Sequence, residues 1–66
     1  MNKNLKAEII RKFGSQAEFS HALHEHGYII SAVINGRMKL DEKRRQAWEE
    51  LLGAEAMAYL EGKDND

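Results

Sequence analysis

The chain of 66 residues contains no cysteine, no proline and no threonine. Without cysteine, disulfides and cysteine-ligated zinc are excluded as sources of stability, and the setting expected is a reducing, cytoplasmic one. Without proline, the only punctuation left is glycine, at positions 14, 27, 36, 53 and 62. No apolar run approaches the ~20 residues that span a bilayer, and the N-terminus lacks a signal-peptide core. No membrane association is therefore expected. Strand signals are nearly absent, because no alternating run is bounded by hairpin turns. The hydroxyl nucleophiles are few: Ser15, Ser20 and Ser31 each read as a cap or a packed helix residue. There is no glycine-rich phosphate loop and no paired-carboxylate constellation. Neither an enzyme nor a bound cofactor is expected, and no metal.

What is present is a single domain, expected over residues 1–62, with 63–66 as a frayed tail. A chain of this size buries roughly 60% of its unfolded surface. Stability must come from tight helix packing or from self-association. The net charge is −1, but it is unevenly distributed. Residues 1–45 hold nine basic and five acidic side chains, a balance of +4. Residues 46–66 hold one basic and six acidic, a balance of −5. One end can thus offer a cationic face to phosphates despite the total.

Apolar residues recur at helical spacing between the glycines. The pattern predicts an all-α bundle of about five short helices. The first runs from about Asn4 to Phe13, with Leu5, Ile9 and Phe13 as one stripe. The second is capped by Ser15, with Glu18 three residues on completing a capping box, and turns Phe19, Ala22 and Leu23 inward. The third runs from Gly27 or Tyr28 to Asn35, with Ile30 and Val33 inward. The fourth starts at Asp41, a good N-cap, and carries the stripe Ala47, Trp48, Leu51 and Leu52. A short fifth, Ala54 to Leu60, offers Met57, Tyr59 and Leu60.

The spacing of helices two and three is that of a helix-turn-helix. The run SQAEFSHALHEHGYIISAVINGR over residues 15–37 resembles the lambda-repressor-like domain of phage repressors, Cro proteins and XRE-type regulators. Ser15-Gln16 matches the opening pair, and Phe19-Ser20 the Leu-Ala position. Ile30-Ser31 matches the Ile-Ser pair, Val33 the next core position, and Asn35-Gly36-Arg37 the close. The resemblance covers about residues 4–53. It departs in the turn, where His24-Glu25-His26 replaces Gly-Val-Ser, and at Ile34, which replaces an acidic residue. Glu25 at a normally buried position predicts a locally altered turn, with Gly27 ending a lengthened second helix.

The resemblance implies double-stranded DNA as partner. It places Gly27, Tyr28, Ser31 and Ala32 against base edges, and Ser15, Gln16, Arg37 and Lys39 against phosphates. None of the four base-facing residues is an Arg, Gln or Asn able to make two hydrogen bonds to one base. A small Cro-like regulator is expected to act as a homodimer. Ile34, Trp48, Met57, Tyr59 and Leu60 are the candidates for its dimer surface. The alternative is a degenerate helix-turn-helix serving as a protein-interaction module or antitoxin, with a protein partner. His21, His24 and His26 surround Glu25, but a metal site needs three or four convergent, supported ligands, so a polar surface is the plainer reading. Lys43-Arg44-Arg45 reads as a solvated face of the fourth helix.

Overall fold

The computed structural model describes residues 1–60, and the tail expected at 63–66 lies outside the described residues. The fold is an all-α bundle: α1 (Lys3–Phe13), α2 (Gln16–Leu23), α3 (Gly27–Ile34), α4 (Glu42–Leu52) and α5 (Ala54–Leu60). Among the described residues there is no strand, and no helix is long and apolar enough to cross a membrane.

Three helices begin on a side-chain cap; those at Ser15 and Asp41 are read from the sequence, whereas Asn2 is not. Asn2 Oδ1 accepts from Leu5 N, Ser15 Oγ from Glu18 N, and Asp41 Oδ1 from Arg44 N. Each satisfies one of the backbone donors that a helix start leaves without a partner. Asn2 does more than cap. Its backbone N–H donates to Ile34 O at 2.7 Å and its side-chain amide to Tyr59 O at 2.8 Å. One residue thereby joins the start of α1 to the ends of α3 and α5.

The core is continuous. Leu5 and Ile9 of α1, Phe19 of α2, Ile30, Val33 and Ile34 of α3, Trp48 and Leu52 of α4, and Ala56 and Met57 of α5 are all buried. Its centre is aromatic. Phe19 meets Trp48 edge-on, with centroids 5.0 Å apart and planes at 86°, and Phe13 lies 4.9 Å from Phe19, tilted at 44°. Such pairs add about 0.5–1.5 kcal/mol beyond the area they bury. The indole N–H of Trp48 is buried without a hydrogen-bond acceptor among the described residues. Lys12 closes α1 onto α4 by donating from Nζ to Leu52 O, where an ammonium also complements the negative helix end.

Several sequence expectations change here. Ala22 is exposed, and Ser20 is buried in its place, its hydroxyl returned to Ala17 O at 2.8 Å. Leu51 faces outward, so the α4 stripe narrows to Trp48 and Leu52 with Ala47 half-buried. Ile34, Trp48 and Met57 are not a dimer surface. They are 2%, 0% and 3% exposed, because all three belong to the shared core to which α3, α4 and α5 each contribute. Tyr59 and Leu60 are half-buried against the same core.

Candidate nucleic-acid interface

The site begins with how α2 ends. The helix stops at Leu23, and His24 takes the left-handed conformation, with φ 60° and ψ 41°. His24 N then donates to His21 O, and Glu25 N to Ser20 O. This paired pattern is a Schellman close, in which the left-handed position ordinarily belongs to glycine. The lengthened second helix is therefore corrected: Gly27 does not end α2 but opens α3, without a positive φ. The turn is three residues, 24–26.

Glu25 is explained by a partner far along the chain. Its Oε2 accepts from Arg44 Nε of α4 at 2.8 Å. Arg44 also lies 4.0 Å from Asp41. The hydrogen bond and charge of Glu25 raise the guanidinium above its ordinary value, against the opposing pull of desolvation. The basic run 43–45 is thus not a uniform solvated face, because Arg44 fastens α4 to the turn. Where the resemblance has a buried apolar side chain, this chain has an ion pair.

From the turn, α3 emerges with two unlike sides. Ile29, Ile30, Val33 and Ile34 are buried. Gly27 and Tyr28 are exposed, and Ser31 and Ala32 are half-buried. Tyr28 is the most open large hydrophobic side chain among the described residues, at 69%. His26, at the N-cap, makes no capping hydrogen bond; its ring stacks on Tyr28, centroids 5.6 Å apart and planes at 22°. A Cβ built on Gly27 meets nothing within 4 Å, so the start of α3 is open to a ligand.

The far end of α3 closes in the same way as α2. Gly36, with φ 79°, donates to Val33 O, and Arg37 N donates to Ala32 O. This close delivers Arg37 and, two residues on, Lys39, both exposed and without an ion pair among the described residues. Ser15 and Gln16, at the start of α2, are half-buried, and Ser15 Oγ is already engaged by Glu18 N. Asn35 was not among the sequence candidates. It is exposed beside Ser31 and donates from Nδ2 to Ser31 Oγ at 3.3 Å. Its place one turn after Ser31 was the signal that could have found it. A separate cleft of about 900 Å3 lies between the chain start and the α3–α4 loop, with Met1, Met38, Leu40 and Leu60 among its lining residues.

His21, His24 and His26 are all exposed, and Glu25 is held by Arg44. Among the described residues no three His, Asp or Glu side chains group as metal ligands. No family model, curated protein or solved structure matches the chain.

Proposed function

We propose that α3 and the ends flanking it bind double-stranded DNA, and that the protein is a small regulator of the phage repressor and Cro type. Such a protein acts by occupying an operator and excluding polymerase. One observation carries this reading. The outward edge of α3 carries exposed Gly27 and Tyr28 and half-buried Ser31 and Ala32 on a helix whose other side is core, and the exposed Asn35, Arg37 and Lys39 follow at its end. The elements divide the work as base contact and backbone contact. Gly27, Tyr28, Ser31 and Ala32 meet the groove. Gln16 at the start of α2, with Arg37 and Lys39, meets phosphates, and Ser15 holds that helix start in place. A homodimer would set two α3 helices about one helical turn of DNA apart. Its surface would draw on Tyr59 and Leu60, because Ile34, Trp48 and Met57 are enclosed.

The test is duplex binding by fluorescence anisotropy across salt concentrations. Affinity should fall linearly on a double-logarithmic plot, and Arg37→Ala should flatten the slope by about one unit while weakening all sequences alike. A slope unmoved in that variant would remove Arg37 from the interface. Absence of duplex binding at low salt would remove the DNA reading itself. It would favour a protein-interaction module or antitoxin, the reading supported by the lack of Arg or Gln on the exposed α3 edge.

A further inference from the structure

On the reading that α3 enters the major groove, we infer that Tyr28, positioned by His26, reads the 5-methyl group of thymine. The site would therefore select thymine-bearing duplex sequences by apolar contact. The chemistry of the exposed edge points there. Its outward residues before Asn35 are Gly27, Tyr28, Ser31 and Ala32, which offer two hydroxyls, one ring and one methyl. No amide or guanidinium is present among these four, and the one amide that follows them, Asn35 at the C-cap, already donates from Nδ2 to Ser31 Oγ, so the two-bond patterns that identify guanine or adenine are not available from these four positions. The thymine methyl is the one major-groove feature read by apolar contact. Tyr28 and Ala32 are four residues apart, on one face of α3 and about 6 Å along its axis. They can touch two nearby steps of one duplex.

A tyrosine 69% exposed would ordinarily sample several rotamers and lose that freedom on binding. His26 changes this. Its imidazole lies nearly parallel to the phenol at 5.6 Å and, although at the N-cap, it makes no capping hydrogen bond. The offset stack restrains Tyr28 while leaving the residue largely exposed. His26 in turn is fixed by the turn. His24 reverses the chain just before it, and Glu25 is tied to Arg44 just beside it. His26 is thus a positioning residue, and Tyr28 the reading residue.

The experiment uses a duplex selected from random sequence by the full chain, then the same duplex with each thymine replaced singly by uracil. That change removes only the methyl. Loss of one buried methyl contact predicts about fourfold weaker binding, equivalent to about 0.8 kcal/mol, at one or two positions. At the position read by Tyr28, Tyr28→Ala should erase the thymine-to-uracil ratio and Tyr28→Phe should keep it. His26→Ala should roughly halve that ratio, and His26→Phe, which can still stack, should restore it. Circular dichroism shows whether each variant is folded, and these exposed positions are expected to tolerate substitution. Duplex binding indifferent to uracil at every thymine overturns the methyl reading alone. A ratio unchanged in His26→Ala overturns the positioning role. Failure to bind any duplex removes the proposed function together with this inference.

Discussion

His24 gives the sharpest test of the turn. It is the one non-glycine residue with positive φ among the described residues, and it closes α2 where glycine is preferred. A left-handed backbone costs a residue with a Cβ about 1–2 kcal/mol. Replacing His24 with glycine removes that cost but gives the unfolded chain extra freedom, worth about 0.5–1 kcal/mol. The imidazole is exposed and makes no hydrogen bond or ring contact among the described residues, so little else is lost. The net expectation is a gain of about 0.5–1 kcal/mol. For a domain this size, that raises the melting temperature by about 2–8 °C. Alanine keeps the Cβ and the strain, so His24→Ala should stay within about 0.5 kcal/mol of the parent. His24→Val should lose more than alanine does, because β-branching is least compatible with this region. Thermal and urea melts followed by circular dichroism measure all three. If His24→Ala gained as much as His24→Gly, or if glycine lowered stability, the assignment of strain to this residue would be wrong.

Four further outcomes follow from the packing. Gly36→Ala should cost about 1 kcal/mol in a urea melt, since φ 79° is required for the close that presents Arg37. Asn2→Ala should cost about 1–2 kcal/mol, more than an isolated cap, because links to Ile34 and Tyr59 accompany the cap. Phe19→Ala should cost about 3–5 kcal/mol. A chain of this length has roughly 3–10 kcal/mol in total, so the variant should be largely unfolded at 37 °C by circular dichroism. The Glu25–Arg44 coupling, taken from a double-mutant cycle, should be small and should shrink as salt is added, because the pair is only partly shielded. Arg44 has its value raised, so the guanidinium stays charged throughout the neutral range and is lost as a partner only in strong alkali.

Much of the fold was legible because it rests on local chemistry. Ser15 and Asp41 cap where their side chains can reach a free N–H, and Leu5, Ile9 and Phe13 recur at helical spacing. The errors arose where a distant residue decided. Nothing near Glu25 announces Arg44, nineteen positions on, so the turn looked altered when it was bridged. Ala22 and Leu51 fit an apolar stripe, but the neighbouring helices cover a narrower arc than the pattern allowed. Ile34 and Met57 looked available for a partner because their enclosure in a core shared by several helices is a tertiary event. At the candidate interface, Arg37 and Lys39 were readable from their place after Asn-Gly. The His26–Tyr28 stack was not, because it depends on the ring orientation that the three-residue turn imposes.

The enclosure of Trp48 has a practical consequence. It is the only tryptophan of the chain and is wholly covered, whereas the candidate DNA face carries a tyrosine and no indole. Its intrinsic fluorescence is therefore a built-in gauge of the folded population, shielded from aqueous quenchers while the bundle is intact. A titration with nucleic acid that leaves this emission still, while a label near Tyr28 responds, would separate recognition from unfolding in a single cuvette.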